Sequence, residues 1–162
     1  MTDFEQLYER FARDLYRFAL YLCGNHAQAE DIVSETFVRV WNAPAPIRVT
    51  TVKAYLFTIA RNCYLHEKRR SWRQTGLDEG LQDPSRGPQA SFEQKAELAR
   101  VFSALRSMPE VDRSALLMCS LEELSYQEIA GALELTVSAV KTKIHRARLR
   151  LAQFRDTVEV KK

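Results

Sequence analysis

Between Leu135 and Arg155 the chain carries Lys141, Lys143, Arg146, Arg148, Arg150 and Arg155 and no Asp or Glu. Lysine and arginine neutralise phosphates and donate to the acceptor edge of guanine, so this segment has the chemistry of a nucleic-acid contact. The charge is local, because residues 92–134 hold eight acids and four bases, a net of −4. Val140, Ile144, Ala147 and Leu151 lie at i, i+4, i+7 and i+11, which gives one helix face to a core. Ser138, Lys141, Thr142, His145 and Arg146 then lie opposite that face near the helix start, with Arg148 one turn further on. These six are the expected base and phosphate contacts. A second concentration of cations, Lys68-Arg69-Arg70, closes an earlier helical segment. The remaining residues with chemistry are two Cys-x-x-His pairs, Cys23 with His26 and Cys63 with His66. Four such ligands could hold zinc tetrahedrally. Cys63, however, falls on the inward stripe of its helix and Cys23 ends another, so both are expected to be buried thiols with no metal bound. There is no nucleophile–base pair, phosphate loop or paired acid, hence no catalytic residues, no cofactor and no small-molecule substrate are expected.

The elements that must position these groups read as helices. In the first half Phe4, Leu7, Tyr8, Phe11, Leu15, Phe18, Ala19 and Leu22 recur every three or four residues, and Gly24-Asn25 ends the pattern. A second helix, about 27–42, has the stripe Ile32, Val33, Phe37, Val40 and Trp41, with Phe37 and Trp41 expected in the core. Pro44 and Pro46 stop it. A third helix has Val52, Leu56, Ile59, Ala60 and Cys63 facing inward. Residues 71–91 hold Gly76, Gly80, Gly87, Pro84 and Pro88, half of the ten Gly and Pro, without an apolar period, which reads as a flexible linker. Beyond it come helices from Phe92 to Met108 and from Glu110 to Cys119. Ser125-Tyr126-Gln127-Glu128 has the form of a capping box that opens a short helix through Leu133. After the turn Glu134-Leu135-Thr136, with Thr136 as N-cap, the basic helix runs to about Phe154. Short helix, tight turn and longer basic helix make a helix-turn-helix, whose second helix fits a DNA major groove.

The expected fold is therefore all-α, with two small helical domains joined by a linker: residues 1–75, linker 76–93, second domain 94–155 and tail 156–162. With 46% hydrophobic and 28% charged residues among 162, the chain can bury a core. No apolar run reaches the roughly 18 residues of a membrane span, and the start Met-Thr-Asp-Phe-Glu is acidic, so neither membrane insertion nor a signal peptide is expected, and the location is cytoplasmic.

Leu124-Ser125-Tyr126-Gln127-Glu128-Ile129-Ala130 and Val140 to Arg148 together resemble region four of the extracytoplasmic-function (ECF) sigma factors of bacterial RNA polymerase, and Leu105 to Glu110 resembles the start of that region. Ala29 to Trp41 resembles region 2.2, and Ala54 to Asn62 with Arg69-Arg70 resembles regions 2.3 and 2.4. The resemblance implies a transcription factor rather than an enzyme. Its second domain would read minus-thirty-five duplex DNA. Its first would dock on the β′ coiled coil of core RNA polymerase through Asp31, Glu35, Thr36 and Arg39, and the linker would follow the polymerase, including its β subunit. The first domain would also capture the melted minus-ten strand through Tyr55, Thr58 and Asn62, with Arg61, Lys68, Arg69 and Arg70 on phosphates. An anti-sigma factor is a further implied partner. The rival readings are a conventional helix-turn-helix regulator acting without polymerase and a helical scaffold or metal sensor. The sequence departs from the family at Pro46-Ile47-Arg48-Val49, where an aromatic and Arg-Gly are usual, at His66, where Asp is usual, and at Glu134, where Gly is frequent. A left-handed Glu134 implies strain of about 1 kcal/mol relative to Gly. The net charge of +3 sums opposed surfaces, since residues 1–37 hold seven acids against three bases.

Overall fold

The computed structural model describes residues 3–42, 51–75 and 92–160. Among them the secondary structure is seven helices and no strand, so the chain is all-α. It divides into two compact units, Met1–Gln82 and Asp83–Lys162. Most of the expected linker lies outside the described residues, although its last two positions, 92 and 93, already belong to a helix.

The first unit packs α1 (Asp3–Cys23), α2 (His26–Asn42) and α3 (Val52–Thr75) against one another. The α1 stripe buries Phe11, Leu15, Phe18, Ala19 and Leu22, and Phe18 meets Phe57 of α3 edge to face at 5.1 Å. Gly24 ends α1 at φ 72°, its N–H donating to Leu20 O at 2.7 Å, a left-handed stop that glycine adopts without strain. Asn25 begins α2 by accepting the Gln28 N–H on Oδ1 at 2.9 Å, and Thr51 begins α3 by accepting the Ala54 N–H at 3.1 Å. Three expected core positions are at the surface: Tyr8 of the α1 stripe is 49% exposed, with its ring 4.8 Å from that of Phe37. Val52 is 55% exposed and sits in the first turn of α3. Trp41 is 68% exposed because it stands in the last turn of α2 and touches the core at its rim, stacking edge to face on Phe4 at 4.8 Å. Phe37 is buried as expected.

The second unit contains α4 (Phe92–Arg106), α5 (Glu110–Ser120), α6 (Tyr126–Leu133) and α7 (Val137–Val160). Its core draws Leu105, Met118, Ile129, Val140 and Ile144 from all four helices. The α6 capping box is complete: Ser125 Oγ accepts the Glu128 N–H at 3.1 Å, and Glu128 Oε1 accepts the Ser125 N–H at 2.9 Å. Thr136 Oγ1 accepts the Ala139 N–H at 3.1 Å at the start of α7. The α7 backbone continues to Val160, past the expected end near Phe154, since no Gly or Pro intervenes. Between α6 and α7 Glu134 adopts φ 57° and ψ 46°, and the N–H groups of Glu134 and Leu135 both donate to Ala130 O. This is the left-handed helix stop that normally takes glycine. Glu134→Gly is expected to raise the stability of the second unit by about 1 kcal/mol, read as a higher urea midpoint at constant slope.

Candidate nucleic-acid interface

The two helices of the second unit that follow the capping box place the basic face. Val140, Ile144 and Ala147 anchor α7 in the core, and Ser138, Lys141, Thr142, His145, Arg146 and Arg148 are all exposed on it. The expected contacts thus share one solvent-facing surface, and its members differ in how far they are committed elsewhere. Lys143 Nζ lies 3.7 Å from Oδ1 of the buried Asp112 and ties α7 to α5. Arg150 Nε donates to Ser107 Oγ at 3.1 Å, and Arg148 Nη2 donates weakly to Cys119 Sγ at 3.8 Å. Thr142 donates its hydroxyl back to Ser138 O at 3.1 Å. Lys141 holds its ammonium 5.8 Å from the centre of the Tyr126 ring, a cation–π contact between the first turn of α6 and the groove face of α7. Tyr126 was not among the expected site residues, because nothing in the spacing of positions 126 and 141 shows that the turn brings them together.

On α3 the expected strand-binding residues separate into two groups. Asn62, Lys68, Arg69 and Arg70 are exposed, and Tyr55 and Arg61 are half-buried. Thr58 does not belong with them: it is buried and spends its hydroxyl donor on Ala54 O at 2.6 Å, a back-bond within the helix. Lys68 Nζ lies 6.0 Å from the Tyr64 ring centre. The departing loop Pro46-Ile47-Arg48-Val49 lies outside the described residues.

The α2 face is corrected in the same way. Asp31 and Glu35 are exposed, and Arg39 Nε pairs with Glu35 Oε1 at 3.2 Å one turn away. Thr36 is 0% exposed, donates its hydroxyl to Ile32 O at 2.6 Å and reaches Cys63 Sγ at 3.9 Å. It is part of the packing between α2 and α3 rather than a surface for polymerase. Three members of the Cys-x-x-His pairs, Cys23, His26 and Cys63, are engaged within the fold, while His66 is exposed. Cys23 Sγ donates to Asn25 O at 3.3 Å, Tyr16 Oη and His26 Nδ1 share a hydrogen bond of 2.6 Å, and Cys63 is buried, which pushes its thiol pKa up. Among the described residues no group of three His, Cys, Asp or Glu is placed to hold a metal ion.

Residues 7–74 match the family model described as Sigma-70 region 2, and residues 98–151 match that described as Sigma-70, region 4. Over 161 residues the chain is 32% identical to the ECF RNA polymerase sigma factor SigE of Mycolicibacterium smegmatis, covering 95% of the chain and 62% of that protein. It is 35% identical over 147 residues to SigL of Mycobacterium tuberculosis H37Rv, covering 87% of the chain and 82% of that protein. Among solved structures, CnrH bound to the cytosolic domain of CnrY is similar with a TM-score of 0.71 and 27% identity, over 95% of this chain and 88% of that one. The Bartonella quintana sigma factor RpoE, solved with the anti-sigma factor NepR, shares the fold with a TM-score of 0.78 at 24% identity, over 96% of this chain and 98% of that one.

Proposed function

The chain belongs to the extracytoplasmic-function sigma factors of the sigma-70 family, and from that membership we propose that it joins core RNA polymerase and directs promoter-specific initiation. The observation that carries this reading is the solvent-facing row Lys141, His145 and Arg146 on α7, a helix begun by the Thr136 cap and preceded by the box-capped α6, in a chain that also carries region 2. In this proposal residues 94–155 lay α7 into the major groove of the minus-thirty-five duplex. Ser138, Lys141, Thr142, His145, Arg146 and Arg148 supply donors to base edges and phosphates.

Residues 1–75 provide two further surfaces. Asp31, Glu35 and Arg39, exposed or half-exposed along α2, form the polar face offered to the β′ coiled coil, with the segment 76–93 running along polymerase toward the β subunit. Asn62 and Tyr55 engage an unpaired base of the minus-ten strand while Arg61, Lys68, Arg69 and Arg70 hold its phosphates. The chain supplies recognition, and bond formation belongs to polymerase. An anti-sigma factor completes the set of proposed partners, as the Bartonella quintana sigma factor RpoE, which shares the fold, was solved with the anti-sigma factor NepR. The reading places the protein in the cytoplasm, and no helix among the described residues is long and apolar enough to cross a membrane.

Run-off transcription with purified core polymerase and a promoter library tests the proposal. Initiation that depends on both this chain and a defined promoter is the expected result. Tight duplex binding with no promoter-dependent initiation across the library would instead make the protein a conventional helix-turn-helix regulator.

A further inference from the structure

Ten residues beyond Asn62 on the same helix, Trp72 presents an indole that is 61% exposed. It does not stand alone: Leu65, Lys68, Arg69, Trp72 and Arg73 together line a surface groove of about 390 Å³. Single exposed apolar residues are ordinary, but an aromatic plane set among three cations in one concavity is a constellation with a chemical meaning. The groove suits a flat, apolar group with anions on either side. A helix of a protein partner would want a wider aliphatic floor, and Leu65 is the one aliphatic side chain among the described residues of the lining. Glu67, the acid on this stretch, does not line the groove.

A nucleobase between two phosphates has these properties, because every base offers a face to an aromatic ring and the backbone on both sides is negative. Ten helical residues advance about 15 Å, and stacked nucleotides advance about 3.4 Å each, so the groove lies about four nucleotides from a base held at Asn62. We propose that Trp72 is a stacking platform for a second promoter base, about four nucleotides from the one at Asn62, with Lys68, Arg69 and Arg73 on the phosphates that flank it. The proposal rests on the sigma-factor reading and extends its base contacts along α3 by nearly three turns.

Holoenzyme assembled from core polymerase and the full-length chain provides the test, with the half-life of the open promoter complex as the readout. Trp72→Ala is expected to shorten that half-life about tenfold, in line with the loss of one base–aromatic stack. Trp72→Phe, which keeps a stacking ring, is expected to stay within about threefold of wild type, and the melting temperature of both variants should match the wild type because the indole is exposed. An unchanged half-life in Trp72→Ala, on a promoter that wild-type holoenzyme opens, overturns the stacking role and leaves the sigma reading intact. Equal losses in the Ala and Phe variants also overturn it. Failure of wild-type holoenzyme to open any promoter overturns both.

Discussion

Phe18→Ala is expected to destabilise the first unit by about 3 to 5 kcal/mol, the largest effect of any single substitution considered for this chain. Phe18 is fully buried, and its ring meets Phe57 at an interplanar angle of 81°, so truncation removes both the transfer of a large side chain and a favourable edge-to-face pair. Leu15, Leu22 and Leu56, also fully buried around it, sit on helices fixed by their own contacts and can collapse into the void only in part. Domains of this size have a total stability of roughly 5 to 10 kcal/mol, so the variant retains little margin. The second unit has a separate core, built on Leu105, Met118, Ile129 and Ile144, and should unfold at an unchanged denaturant concentration. Chemical unfolding followed by circular dichroism, with duplex binding measured on the same samples, checks this. A parallel loss of duplex binding at concentrations where only the first unit has unfolded would contradict the independence of the two cores.

The second large effect concerns recognition. In the Lys141→Ala/Arg146→Ala double variant, affinity for the minus-thirty-five duplex is expected to fall about a hundredfold, since each cation that contacts a base edge or phosphate is worth about 1 to 3 kcal/mol. A lysine spent on phosphate should weaken all sequences alike and lower the salt slope by about one, whereas an arginine on guanine should relax preference at one position. Competition binding by holoenzyme on wild-type and singly mismatched duplexes at two salt concentrations separates the two. Lys143→Ala provides the contrast: its ammonium already faces the buried Asp112 carboxylate, so its loss should appear in the stability of the second unit more than in DNA affinity. Retained affinity and selectivity in the double variant would remove this face from the DNA.

The helices, the α6 capping box and the Thr136 cap were legible in the sequence, because each rests on local chemistry such as apolar spacing or a Ser-x-x-Glu box. Glu134 stood out as a residue where glycine is usual, whereas the Asn25 and Thr51 caps were not among the expected ones. The basic row of α7 was legible for the same reason, as its exposure follows from the burial of Val140, Ile144 and Ala147. What misled was residue type where position decides. Thr36 and Thr58 look polar, yet each stands one turn after a residue whose carbonyl takes its hydroxyl proton, and a threonine so satisfied packs like a valine. Trp41 and Val52 look like core, yet they stand in end turns of α2 and α3, where a neighbouring helix covers less of the surface. The meeting of Tyr126 with Lys141 depends on how a turn orients two helices, which periodicity within either helix does not encode.

In the proposed function, two compact units on one chain would make the protein a bivalent ligand. For any bivalent ligand, holding one unit raises the effective concentration of the other, up to millimolar for short flexible connections. Under that proposal each unit would bind its own segment of DNA weakly and exchange quickly, while the pair together would stay bound through a gain of about a hundredfold to ten-thousandfold that no single contact supplies. Cutting the chain between the units would forfeit that gain while every side chain in both interfaces remained in place.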